Sequence, residues 1–213
     1  TTVVQFHKDT TFPQHTHGGG EEFFVLENVW DSEKNGSFID HECEYKKGFY
    51  VRHPIDSEHQ PWTSKSQGCL LLVKLRQMTD RSEKVLVVDT GIYGQTAQQE
   101  TEQKSVHTIV TGKWVEVEEG KEVMHLYENE TTGEKVTLEK WAPGHAESAV
   151  TQAEEILVLK GELEEEHLLD NELSVTHLKQ NCWLRTPSNS TGLVKRRQSA
   201  SGCIFYKKIG LVP

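Results

Sequence analysis

His15 and His17 are separated by one residue and followed by Glu21, and His59 closes the stretch Gly48-x5-Pro54-x-Asp56-x2-His59. Residues two apart on an extended segment project to the same side, so both imidazoles face one point. A carboxylate on the next turn or strand can close on that point, with His59 as a further donor. Imidazole and carboxylate together suit zinc, iron, manganese, nickel or copper better than magnesium or calcium. A His pair alone would read as two exposed hydrogen-bonding rings. The addition of Glu21 and His59 turns the reading to a metal centre.

The elements that must position these groups read as strands. Phe23–Leu26, Tyr50–Arg52, Leu70–Leu75, Val85–Asp89, Thr108–Val110, Trp114–Glu118, Glu134–Lys140, Ile156–Leu159 and Ile204–Lys208 are rich in β-branched, aromatic and leucine residues. Gly, Asn, Asp and Pro turns bound them, and no segment carries a convincing 3.6-residue apolar period. The chain is also duplicated. Glu21-Glu22-Phe23-Phe24-Val25-Leu26-Glu27-Asn28 lies over Glu154-Glu155-Ile156-Leu157-Val158-Leu159-Lys160-Gly161 at an offset of 154 − 21 = 133. Tyr50-Val51-Arg52-His53-Pro54 lies over Trp183-Leu184-Arg185-Thr186-Pro187 at the same offset, and Gly68-Cys69-Leu70-Leu71 over Gly202-Cys203-Ile204-Phe205 one residue later. Three matches in order define two similar modules. Their expected extents are residues 1–89 and 106–213, with the Gln-, Thr- and Glu-rich stretch 90–105 as linker. The second module has some twenty more residues ahead of its glutamate motif. The first sheet is therefore expected either to borrow strands from elsewhere or to need residues ahead of Thr1.

Among 213 residues, 33 acidic and 23 basic side chains give a formal charge of −10, which argues against a phosphate-tracking, nucleic-acid-binding protein. Lys195-Arg196-Arg197 is expected to be a solvated face. No apolar run approaches the roughly 18 residues of a membrane span, so no membrane association is expected. Cys43, Cys69, Cys182 and Cys203 are too widely spaced for a zinc finger or a disulfide framework, and reduced thiols in the cytoplasm are the default.

These motifs resemble the two signatures of the cupin superfamily, G-x5-H-x-H-x3,4-E-x6-G and G-x5-P-x-G-x2-H-x3-N. The finer pattern is similar to the cupin domain of ChrR-type anti-sigma factors: His15-Thr16-His17-Gly18-Gly19-Gly20-Glu21-Glu22, Tyr50-Val51-Arg52-His53-Pro54, His59-Gln60-Pro61-Trp62 and Val73-Lys74-Leu75-Arg76. The resemblance implies an all-β fold of two tandem cupin jelly-roll barrels. It also implies one divalent transition metal held by His15, His17, Glu21 and His59, zinc first, with iron, manganese or nickel as alternatives. Glu21 is preferred to Glu22 because its partner Glu154 precedes Gly161 by the six residues the motif expects. Asp9, Asn28 and Asp56 stand where glycines are expected and Thr63 where an Asn is. Left-handed turns are expected to survive at Asn28 and Asp56 and to be lost at Asp9.

Transferred by 133, the ligands become Ser148, Val150, Glu154 and Gly192, so the second module is expected to hold no metal at the corresponding place. His145 and Glu147 lie nearby and read as exposed loop residues. Trp141, Trp183 and Leu184 are expected to fill its interior. Glu22, Tyr50, Arg52 and Trp62 are the candidates to line a pocket at the first centre, although Arg52 recurs as Arg185, which favours a cross-strand ion pair. Cys43 and Cys69 are candidate redox reporters, with Cys69 read rather as a core thiol.

Function stays open between two classes. One is a zinc-dependent regulatory or sensor protein related to anti-sigma factors, with a regulatory protein partner. The H-x3-C-x2-C signature by which that family grips its sigma factor is not matched, since His41 and Cys43 are too close. The other is an iron- or manganese-dependent dioxygenase of a small molecule. Homodimerisation is implied by the family alone.

Overall fold

In the computed structural model, residues 1–79, 81, 84–94, 108–148, 152–169, 172–187 and 194–210 are described. The chain divides into two compact units, Thr1–Gly112 and Lys113–Pro213. From residue 95 onward the expected linker lies outside the described residues.

The first unit contains β1 (Thr2–Phe6), β2 (His15–Thr16), β3 (Glu21–Leu26), β4 (Phe38–Ile39), β5 (Glu44–Tyr45) and β6 (Phe49–His53). It continues with β7 (Glu58–His59), β8 (Trp62–Thr63), β9 (Cys69–Leu75), β10 (Leu86–Asp89) and β11 (Ile109–Thr111). Its main sheet runs β1-β9-β3-β6-β10-β11, and β2-β7 and β5-β4-β8 form small ladders. Strand β11, which the sequence placed in the second module, pairs in parallel with β10 and extends the first sheet. Thr90 is likewise tied to the first unit, its Oγ1 donating to Gly48 O at 2.6 Å. The asymmetry ahead of Glu21 is thus met partly by chain that follows the first barrel.

The second unit contains β12 (Val115–Glu118), β13 (Lys121–Asn129), β14 (Glu134–Trp141), β15 (Ala146–Ser148) and β16 (Glu154–Leu169). Strands β17 (Glu172–Lys179), β18 (Trp183–Thr186), β19 (Val194–Gln198) and β20 (Cys203–Ile209) complete it. The first half of β16 pairs with β18 and β20, the second half with β17 and β19. Gly161 takes the bend between them at φ 75°. A Cβ there would lie 2.2 Å from Gly202 O, so only glycine fits.

Register confirms the duplication. Glu21 pairs with His53 and Leu75, and Glu154 with Thr186 and Ile209. Alternation then sends Phe23, Val25, Val51, Leu71 and Val73 into the first core, and Ile156, Val158, Cys203, Phe205 and Trp141 into the second. Each fully buried apolar side chain contributes about 1.5–3 kcal/mol. Trp183, expected inside, is 43% exposed.

Glu22, Tyr50 and Arg52 lie on the opposite face of β3 and β6 from Glu21 and His53, and therefore do not line the metal centre. Arg52 Nη1 pairs with Glu22 Oε2 at 2.9 Å, both side chains buried, which is the cross-strand ion pair expected for it.

Candidate metal centre

The local fold around His15, His17 and Glu21 is set by a tight glycine loop. Gly20 N donates to His17 O at 2.9 Å, and Gly20 sits at φ 72°. A Cβ on Gly20 would meet Met78 Sδ at 2.3 Å, and one on Gly19 would meet Arg76 Cα at 2.5 Å. The loop therefore packs closely against the chain just after β9 and leads into Glu21 at the start of β3. Opposite, β2 pairs with β7 so that His15 faces His59. Asp56, at φ 63°, supports the turn into β7, its N donating to His17 O at 3.0 Å.

Two of the motif departures behave differently from expectation. Asp9 does adopt the left-handed turn, at φ 58°, whereas Asn28 does not. Asn28 instead organises its loop by side chain, accepting from Trp30 N and Asp31 N at 3.1 Å each. Thr63, which stands where the motif has Asn, ties two segments together: its Oγ1 accepts from Thr10 N at 3.0 Å and donates to His7 O at 2.7 Å.

The three imidazoles converge. His15 Nε2 lies 3.1 Å from His17 Nε2, which lies 3.0 Å from His59 Nε2. Glu21 Oε2 is 3.8 Å from His17 Nε2 and 3.6 Å from His59 Nε2. Nitrogens at these separations can share one ion at bonds of about 2.1 Å. His15 Nδ1 is 2.8 Å from Pro13 O; as donor there, it leaves the Nε2 lone pair free for a metal.

The surrounding groups favour the protonation states a metal requires. Burial lowers the pKa of His17 below its ordinary 6.5, the nearby histidines adding to the effect against the pull of Glu21. For Glu21 burial acts upward, but the His53 hydrogen bond and the neighbouring histidines outweigh it and hold the carboxyl below its ordinary value. At neutral pH the carboxylate is charged and the His17 ring neutral. The donor set of three imidazole nitrogens and one carboxylate oxygen fits a divalent first-row ion.

Behind these residues is a shell that the sequence reading missed. His53 Nδ1 approaches Glu21 Oε2 at 3.4 Å, and its Nε2 lies 3.4 Å from Tyr45 Oη. Tyr45 Oη donates to Asp40 Oδ2 at 2.9 Å, and Asp40 Oδ2 faces His59 Nδ1 at 3.9 Å. Glu42 N and Cys43 N donate to Asp40 Oδ1 at 2.8 and 2.9 Å, fixing the carboxylate. Burial acts upward on Asp40, yet the nearby His59 ring, with the Glu42 and Cys43 amides and Tyr45, holds its pKa low, so it presents a charge to His59. His53 had a usable signal: its repeat partner is Thr186, the same loss of imidazole that separates His15 from Ser148. Trp62 packs on His41, centroids 5.2 Å apart. Cys43 and Cys69 are buried, and burial pushes the Cys69 thiol up to about 12, which removes it as a reactive thiolate.

The second unit treats the corresponding place differently. Val150 and Gly192 lie outside the described residues. Ser148 pairs with Arg196 across β15 and β19, as His15 pairs with His59. Glu154 is buried and bound to Arg197, which also binds Glu165. Lys207 Nζ lies 3.7 Å from Glu154 and 3.1 Å from Glu139. Of the expected solvated cluster, Lys195 and Arg196 are exposed, but Arg197 is 4% exposed. Two buried carboxylates require a cation there, and the chain supplies it.

Residues 1–79 match the family model described as the ChrR Cupin-like domain. Among curated protein sequences none matches this chain. In structure the chain is similar to a salicylate 1,2-dioxygenase from Pseudaminobacter salicylatoxidans, with TM-score 0.57 and 12% identity over 98% of this chain and 70% of that one. It is also similar to vicilin from Corylus avellana, with TM-score 0.56 and 9% identity over 98% of this chain and 74% of that one. An enzyme and a vicilin share the architecture, so the likeness carries the fold alone. No helix among the described residues is long and apolar enough to cross a membrane. The chain has an all-β fold of two tandem cupin-type barrels, and its first 79 residues match the ChrR Cupin-like domain.

Proposed function

We propose that the first module is the metal-dependent part of a regulatory or sensor protein and holds one divalent transition metal, zinc first, through His15, His17, Glu21 and His59. The observation that carries this reading is the convergence of three Nε2 atoms beside a buried carboxylate, with Asp40, Tyr45 and His53 fixed behind them. Pro13 O orients His15, the Asp40 carboxylate stands 3.9 Å from His59 Nδ1, and His53 holds Glu21. The charges of Glu21 and Asp40 together balance a divalent ion, so the loaded centre is neutral in its buried surroundings. When bound tetrahedrally by four such groups, zinc has no open position, which suits structural or sensing work. A change at the centre would then act on a regulatory protein partner. The four free cysteines accord with a reducing, cytoplasmic setting. Dimerisation through exposed sheet is a further expectation, read by the mass in solution.

One observation favours a second reading, an iron- or manganese-dependent dioxygenase of a small molecule. The fold is similar to that of a salicylate 1,2-dioxygenase, and three imidazoles with one carboxylate suit iron or manganese as well as zinc. Six-coordination would leave two positions open for substrate and oxygen. X-ray absorption at the metal edges of freshly purified protein separates the readings. Four-coordinate zinc supports the sensor. Five- or six-coordinate iron or manganese supports the oxygenase, and absence of any bound metal overturns both.

A further inference from the structure

In the second unit, one imidazole and two carboxylates meet outside any role described so far. Ligand atoms of Glu118, His145 and Glu147 all lie within 4.8 Å of one another. The backbone that carries them is tied down. Gly120, at φ 78°, turns β12 into β13, and its carbonyl accepts from Ala142 N at 2.8 Å. His145 N donates to Ala142 O at 3.1 Å, and Ser199 N donates to His145 O at 3.0 Å. His145 and Glu147 are two apart on extended chain leading into and along β15, so their side chains share a side. The expectation of exposed loop residues fails for His145. Its side chain is only 9% exposed and its ring packs edge-on against Trp141, centroids 4.8 Å apart.

His145 Nε2 is the informative atom. It is buried without a hydrogen-bond partner and points toward Glu118 Oε1, 3.7 Å away, too far for a hydrogen bond. A buried polar atom in that condition costs about 1–3 kcal/mol unless something occupies the gap. Glu118, more than half exposed, can reach an ion without loss of packing. One Glu147 oxygen is engaged by Lys121, which also holds Glu139 at 3.2 Å; the other Glu147 oxygen remains for an ion.

We propose that Glu118, His145 and Glu147 form a second divalent-metal site, for a zinc- or manganese-class ion completed by water. Two carboxylates and one imidazole are a harder set than that of the first centre and suit those ions. Lys121 stands beside the site as a competing cation, so the ion binds here more weakly than at His15, His17, Glu21 and His59.

The test uses the full chain carrying His15→Ala, His17→Ala and His59→Ala, which removes every imidazole of the first donor set, and titrates it with Co2+ in place of zinc. Calorimetry gives the stoichiometry and tryptophan emission gives the location, because Trp141 lies against His145 and a paramagnetic ion there quenches it. One equivalent with partial quenching is expected. Adding Glu118→Gln, at an exposed position that leaves the fold intact, should weaken binding at least about tenfold. Adding Lys121→Gln instead should tighten it. Absence of binding in that triple variant, or quenching that Glu118→Gln leaves unchanged, overturns the site. Neither result bears on the first centre, which is read in the unmodified chain.

Discussion

Glu21 and Glu154 occupy the same register position in the two units, each buried and each paired to the same two neighbouring strands. Around Glu21 the chain places imidazoles, which can be neutral and can give way to an ion. Around Glu154 it places Arg197 and Lys207, permanent cations at ordinary pH. Lys207 stands opposite Ile156 where Val73 stands opposite Phe23, so one inward apolar position has become an ammonium. A buried carboxylate demands positive charge in both places. On the proposed reading the source in the first unit is an exchangeable ion; in the second it is a covalent part of the chain. A copy can thus lose its metal and keep its fold if a guanidinium takes over the ion's electrostatic role.

The largest effect should come from removing the exchangeable side of this contrast. His15→Ala or His59→Ala should abolish stoichiometric metal at the first centre, read by metal content after dialysis, while the metal-free fold persists. Next, Arg197→Ala should destabilise the second unit by roughly 3–5 kcal/mol, because it strands buried Glu154 and Glu165. Denaturant unfolding measures this, and combining it with Glu154→Gln should recover part of the loss. If Arg197→Ala were neutral, the built-in cation would not be what replaces the metal.

Asp40→Asn should weaken metal binding about 10–100-fold without altering stoichiometry at saturation, since it removes the negative charge beside His59 and the acceptor that fixes Tyr45. An affinity unchanged in that variant would remove Asp40 from the account.

Acid should separate the units further. The folded-state pKa of His17 is lowered from 6.5, so the folded state resists protonating it and loses stability as pH falls below 6.5. That of Glu21 is lowered from 4.5, so its contribution is present above 4.5 and lost as pH falls through the folded value. Both signs point to release of metal on acidification, beginning below the ordinary imidazole range, and equilibrium dialysis across pH 7 to 4 checks it. The smallest effect is a null one: Ser148→Ala should leave the first centre's metal content unchanged.

Much of this contrast was legible in the residues. All nine strands read from composition are present, and spacing picked out His15, His17, Glu21 and His59, which the fold brings near one another. Strand β13 was not, because a bulge between His125 and Tyr127 breaks the alternation of its apolar residues. The end of β16 and all of β17 were missed for another reason. Glutamates dominate the first, and β17 is exposed at nearly every position, so neither shows an apolar face. Asp40 and Tyr45 reach the centre only through pairing across strands and a side-chain relay that no local spacing reveals. Arg197 was misread because a run of basic residues looks solvated until the carboxylates opposite it are known.

The most direct test is anomalous diffraction from crystals of the unmodified chain loaded with one equivalent of metal, collected at that metal's edge. The account predicts a strong peak within bonding distance of His15, His17 and His59 Nε2 and of Glu21, and none beside Glu154. A peak beside Glu154, or no peak among the three imidazoles, would contradict it.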